Sequence, residues 1–211
     1  MPNTKAEKPP FELTASILCL DFVNTLDDRP SDQPKELLAQ YSDLVRFGKE
    51  TGIITSRQAD YLTRRADARP GEARQTLDSA VVLREALYEI FWAVAHRCKI
   101  PPDALVILNK FVSEAGSHSV LVPVNGHFVL QIDDQTNPEP AFDAVLWPIV
   151  RSAADLLVSD SLPFVRACSS KTCQWLFVDT SKSHRRRWCN MRLCGNRAKV
   201  RRFYARQKKA S

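Results

Sequence analysis

A chain of 211 residues, 44% hydrophobic and 26% charged, has an ordinary globular composition and is long enough for one sizeable core plus a small module. No apolar run is long enough to span a bilayer, which excludes a membrane helix. The net charge of +6 is unevenly spread: from Cys168 onward 13 Lys and Arg stand against one carboxylate side chain, Asp179, giving +12 and leaving −6 on the rest. Such a split predicts an anionic partner for the basic part, and nucleic acid is the commonest one.

Residues 1–10 are polar and Pro-rich, without the apolar centre of a signal peptide. The expectation is a cytoplasmic protein, in which thiols stay reduced and paired cysteines favour metal over disulfides. Residues 13–26 are mostly apolar but contain Asp21, Asn24 and Thr25. On a helix, Asp21 and Asn24 (i, i+3) and Asp21 and Thr25 (i, i+4) share a face. These groups read either as caps on neighbouring backbone or as the lining of a small-molecule pocket, which makes Asp21, Asn24 and Thr25 the candidate effector-binding residues. Cys19 and Cys98 lie in apolar runs and read as buried core.

Turn chemistry makes residues 27–34 a loop. Residues 35–49 carry Leu37, Leu38, Tyr41, Leu44, Val45 and Phe47, predicting an amphipathic helix closed near Gly48 or Gly52. Thr55 or Ser56 caps the next helix, to about Ala68. One long helix is predicted over 72–98, and Pro101-Pro102-Asp103 opens another, to Ala115, ended by Gly116. Alternation on both sides of Asn125-Gly126 predicts a β-hairpin over 119–132 with a type I′ turn, Pro123 marking an edge strand. Residues 133–140 read as a loop. Residues 141–159 read as helical, with Pro148 either a kink or a new first turn. The hinge at 159–163 is short, so the parts before and after it are expected to pack together. The domain expectation is 1–160 and 165–211.

Beyond the hinge, Cys168 and Cys173 form one pair and Cys189 and Cys194 another, each with four residues between its members and fifteen separating the pairs. Four thiolates from two short loops complete a tetrahedral zinc shell; with no open position, the zinc is structural rather than catalytic. Between the pairs, 175–180 reads as a short strand or hairpin. After them, 198–209 reads as a helix with Val200, Phe203, Tyr204 and Gln207 on one face. This order is treble-clef-like, with a zinc ribbon the nearby alternative. Trp188 reads as the packing anchor of the module. His96 and His118 have no partner at metal spacing, while His184 lies between the pairs and is the alternative ligand that could replace one cysteine. The chain has no GxxxxGK[ST], GxGxxG, HExxH or GxSxG pattern, so the expectation is a protein that is not an enzyme.

Trp188-Cys-Asn-Met-Arg-Leu-Cys-Gly-Asn-Arg197 resembles the CGNR zinc finger, called after its Cys-Gly-Asn-Arg signature. Leu18-Cys-Leu-Asp-Phe-Val-Asn-Thr25 resembles the start of the ABATE domain that precedes this finger. Together the resemblance covers nearly the whole chain. It implies a bacterial stress-induced transcription regulator whose finger binds DNA. It also implies one zinc on Cys168, Cys173, Cys189 and Cys194, with Gly195, Asn196 and Arg197 opening the last helix.

The fold class expected is mainly α (α+β), a helical N-terminal domain with a β-hairpin plus a small treble-clef-like zinc module. The function expected is a zinc-containing, DNA-binding transcription regulator with a small-molecule-sensing N-terminal domain. Two alternatives are an RNA- or ribosome-binding zinc protein, and a small-molecule enzyme whose finger is structural. The candidate nucleic-acid contacts are Arg185, Arg186, Arg187, Arg192, Asn196, Arg197, Lys199, Arg201, Arg202 and Arg206. DNA, a small-molecule effector and a second copy in a homodimer are the expected partners, and a membrane is not.

Overall fold

The computed structural model describes residues 9–132 and 137–210, with side chains in the last helix given for 196–201, 204 and 207. The loop expected at 133–140 therefore lies partly outside the described residues, as do the side chains of Arg202, Phe203 and Arg206.

Helix α1 (Leu18–Val23) buries Cys19, Leu20, Phe22 and Val23, and Asn24 ends it. A two-residue ribbon follows, β1 (Leu26–Asp27) antiparallel to β2 (Lys35–Glu36). The helix expected from residue 35 begins only at α2 (Tyr41–Glu50). Two interactions explain the delay. The buried guanidinium of Arg84 grips Glu36 with both nitrogens, at 2.6 and 2.7 Å, and holds it in the ribbon. Gln40 and Asp43 then form a reciprocal capping box that starts the helix. Arg84 is 98% buried, and Glu85, which also takes Arg29, supplies its second counter-charge. A buried charge is tolerable only when paired in this way.

Helix α3 (Ser56–Ala68) is capped by Thr55 and Gln58. Only Arg69 separates it from the long α4 (Pro70–His96), which starts on the proline because a first-turn position needs no N–H donor. Arg97 is left-handed (φ 56°) and turns the chain outward, so Cys98, expected in the core, is exposed; Cys19 is buried. Helix α5 (Pro102–Ser117) runs through Gly116. The hairpin of β3 (Ser119–Val124) and β4 (His127–Ile132) pairs Val124 with His127. Asn125 (φ 49°) and Gly126 (φ 83°) both take positive φ, as a type I′ turn requires. Leu121 and Phe128 remain 68% and 72% exposed on it. A 3-10 turn, Phe142–Val145, leads into α6 (Leu146–Leu157), and Pro148 sits in its first turn rather than kinking it.

The last part opens with a strand that residue pattern does not announce, β5 (Val165–Ala167), antiparallel to β6 (Leu176–Val178). Helix α7 (Asn196–Ala210) closes the chain. The architecture is mainly helical, with small antiparallel hairpins and a cysteine-bearing module. One buried cluster runs without a break from Leu20 in α1 through Leu87 in α4 and Ile149 in α6 to Leu176, Phe177 and the four paired cysteines. Among the described residues, no helix is long and apolar enough to cross a membrane.

Candidate metal centre

Cys168 and Cys173 bracket the turn between β5 and β6. The turn is tightened by Cys168 N donating to Trp175 O (2.8 Å) and Cys173 N to Ser170 O (3.2 Å). Cys189 and Cys194 bracket a second short turn, Met191–Gly195, capped by Asn190, whose side chain accepts from Arg192 N at 2.8 Å. Ser169 N donates to Arg187 O at 2.8 Å and ties the two turns together. The Met191 side chain lies directly over Gly195, where a Cβ would have to push its sulfur aside.

The four Sγ atoms lie within 4.8 Å of one another and are buried. Cys173 to Cys189 is 3.6 Å and Cys189 to Cys194 is 3.7 Å. A tetrahedron with metal–sulfur bonds of about 2.3 Å has edges of about 3.8 Å, so the cage has the size of a four-cysteine zinc shell. Hydrogen bonds from Cys173 and Cys189 hold the Cys168 thiol far below the ordinary range, and facing sulfurs and burial push the other three up. Four thiolates in so small a space need a dication at their centre. His184 is not part of the cage: its ring stacks on Phe164 at 4.0 Å, and Nδ1 lies 2.9 Å from Asp179 O.

The loop between the pairs is built on Asp179. Its carboxylate accepts from Ser181 N (3.0 Å), Ser181 Oγ (2.6 Å) and Arg186 N (2.8 Å). Burial alone would raise its pKa, but these bonds outweigh burial and hold it below the usual carboxylate range. Arg186, expected to contact nucleic acid, has its guanidinium turned inward. Nε donates to Trp188 O at 2.9 Å, Nη2 bonds the Cys189 and Thr14 carbonyls, and the group lies 4.4 Å from the Phe177 ring centroid. Trp188 is half-buried against the core.

Asp21, Asn24 and Thr25 all lie where the first helix meets this module. Asn24 Nδ2 donates to Leu176 O and Leu176 N donates to Asn24 Oδ1, both at 2.9 Å, across 152 positions of sequence. Thr25 Oγ1 donates to Phe22 O at 2.7 Å and accepts from Arg84. Asp21 Oδ1 accepts from Ala15 N at 2.9 Å, and Ala15 O in turn accepts from Val178 N at 3.3 Å. Burial pushes the Asp21 pKa up to about 6, against the lowering pull of the Ala15 and Thr14 amides. Sequence periodicity carries no signal for the Asn24–Leu176 bonds or for the inward turn of Arg186, because both partners are distant or local backbone.

The other nucleic-acid candidates whose side chains are described lie on the surface. Arg185, Arg187, Arg192, Asn196, Arg197, Lys199 and Arg201 are exposed. None of the six cations among them forms an ion pair with a described residue.

Two family models match. Residues 17–160 match ABATE, described as "Putative stress-induced transcription regulator", and residues 165–207 match the CGNR zinc finger. Among curated proteins, none matches this sequence. The chain thus belongs to the ABATE family, carries a CGNR zinc finger at its C-terminal end, and holds one structural zinc on Cys168, Cys173, Cys189 and Cys194.

Proposed function

We propose that this zinc protein binds duplex DNA through its finger and regulates transcription in response to a small-molecule effector. The observation that carries the reading is the uncompensated charge of the module. Six cations, Arg185, Arg187, Arg192, Arg197, Lys199 and Arg201, stand exposed with no ion pair among the described residues, while Asp179 is consumed by Ser181 and Arg186. Phosphates neutralise such a surface and release counterions in doing so.

Helix α7 continues directly from the 191–195 turn, and in this reading it enters a groove or runs along phosphates. Asn196, Arg197, Lys199 and Arg201 lie in its first turns, with Arg202 and Arg206 further along. Arg186 belongs to the architecture of the loop. An effector reaching Asn24, Thr25 or Asp21 has to compete with the bonds these side chains already make to Leu176, Phe22 and Ala15. We read the chain as a binding protein rather than an enzyme, since its sulfur shell leaves zinc no open position. A two-fold dimer in the cytoplasm belongs to the same reading.

The test is binding of the zinc-loaded chain to random duplex DNA across a salt series. The expected slope of log K against log salt is about −0.9 per phosphate contact, and selection enriches one motif. Replacing Arg197 and Arg201 together by Ala weakens binding. Unchanged affinity overturns the reading, and preference for structured RNA replaces it with an RNA partner.

A further inference from the structure

Hairpin β3–β4 carries an apolar surface that no described part of the chain covers. Leu121 and Phe128 are 68% and 72% exposed, and Val120, Val124, Val129 and Leu130 are each more than a third exposed. Single apolar side chains are normal on a protein surface, but six on one ribbon mark a contact patch. In a chain with 26% charged residues, Ala115 to Ile132 contains no Asp, Glu, Lys or Arg. Natural sheet edges are usually guarded by charge or proline. A ribbon of two strands is also marginal by itself and gains from a further strand.

The two edges of the ribbon differ. Across the two-residue I′ turn, Val124 and His127 form the closing hydrogen-bonded pair, and bonding alternates from there. Val122 with Val129 and Val120 with Gln131 bond inside the ribbon. The N–H and C=O groups of Phe128 and Leu130 therefore point away from β3, and they meet no backbone partner among the described residues. On the opposite edge Pro123 takes the equivalent outward position and has no N–H to donate. Strand β3 is blunted, and β4 is open.

The pattern of β4 selects its occupant. His127-Phe128-Val129-Leu130-Gln131 runs polar, apolar, apolar, apolar, polar from either end, so the strand matches itself when reversed. Being uncharged, it offers nothing to phosphate or to a charged peptide, and pairing it with itself opposes no like charges. We propose that β4 pairs antiparallel with β4 of a second copy about a two-fold axis at Val129, making a four-stranded sheet ordered β3-β4-β4-β3. Phe128 then stands opposite the partner's Leu130 and exchanges both backbone bonds with it, and Val129 faces its own copy. Leu130 also lines a groove of about 450 Å³, walled by Val112, Ala115, Val150, Ala154 and Val158, the last 87% exposed. Cross-strand neighbours share a face, so the partner's Phe128 lies beside Leu130 and covers this groove. The interface does not rest on the function proposed above; that it sets two fingers on one duplex does.

The test is sedimentation equilibrium of the zinc-loaded full chain over the micromolar range, with circular dichroism melts to show that each variant is folded. The parent is expected to dimerise. Phe128→Lys and Leu130→Glu each weaken the dimer about tenfold or more, and mixing the two variants restores association through one Lys–Glu pair. Val106→Lys, at a position 68% exposed on α5, leaves the dimer intact. Amide exchange at Phe128 and Leu130 is slow in the dimer and fast in the dilute chain, while Val129, bonded inside the ribbon, does not change. If Leu130→Glu unfolds, Phe128→Lys and the exchange data decide. A monomeric parent overturns the proposal and leaves the edge to a strand of another protein. A dimer indifferent to Phe128→Lys, or exchange at Phe128 and Leu130 that ignores concentration, overturns it as well. DNA affinity unchanged in Phe128→Lys removes the link to the fingers and keeps the interface. A parent that dimerises without binding DNA removes the proposed function and keeps the interface.

Discussion

The body from α1 to α6 is held by many apolar side chains with no access to water, among them Phe22, Leu62, Leu87 and Ile149. Among its described residues the finger buries a short apolar set, Val165, Trp175, Leu176, Phe177 and Val178, and fixes the rest of its shape with four sulfurs and a few polar bonds. In the body each buried apolar side chain is one of many and contributes about 1.5–3 kcal/mol. In the finger the stabilisation is concentrated: remove one ion and most of it is gone. The two meet in a single core, so a concentrated loss on one side propagates to the other.

The most severe way to break this comparison is chelation. Structural zinc contributes an apparent ~10–16 kcal/mol, as much as the whole stability of a typical domain, about 5–15 kcal/mol. Because β5 and β6 share the core with α1 and α4, zinc removal is expected to lower the melting temperature of the entire helical signal in circular dichroism. A body that melts unchanged without zinc breaks the comparison.

Asn24→Ala comes next. It strips the buried N–H and C=O of Leu176 of their partner at once, and the expected loss is about 2–5 kcal/mol in urea unfolding. A loss under about 1 kcal/mol means that water replaces the amide and that the seam is wet.

Asp21→Asn sharpens the picture through pH. Folding raises this carboxyl from 3.8 to about 6, so the folded state binds the proton more tightly than the unfolded one. The penalty for ionising it is absent below the unfolded pKa, grows as pH rises between the two values and is complete above about 6. The Asn variant is therefore expected to be more stable than the parent at neutral pH, by about 1–3 kcal/mol, and equal to it in acid. Thermal melts of both proteins at several pH values read this difference directly.

The smallest effects separate two arginines. Arg201→Ala leaves stability unchanged and reduces the DNA salt slope by about 0.9. Arg186→Ala does the reverse, lowering the melting temperature, because its bonds go to Trp188, Cys189 and Thr14.

Much of this molecule is legible in its sequence, for local reasons. The four zinc ligands announce themselves by spacing, the I′ turn by Asn125-Gly126, and the α3 cap by the hydroxyl pair Thr55-Ser56, of which Thr55 does the capping. Each signal lies within a few residues of what it controls. What the sequence hides is non-local. The start of α2 is delayed by an arginine 48 positions from Glu36. Strand β5 exists because β6 pairs with it, and Asn24 at the end of α1 meets a finger strand 152 positions away. The exposure of Cys98 turns on one left-handed residue, Arg97, that no periodicity predicts.

The lacing of Thr14, Ala15 and Asn24 onto the finger bears on modular redesign. A fragment begun at residue 165 would bring Leu176, Phe177 and Val178 into water with the amides of Leu176 and Val178 bare, a strand edge ready to recruit its own copies. Grafting this finger onto another sensor therefore means transplanting the first helix and its lead-in as well.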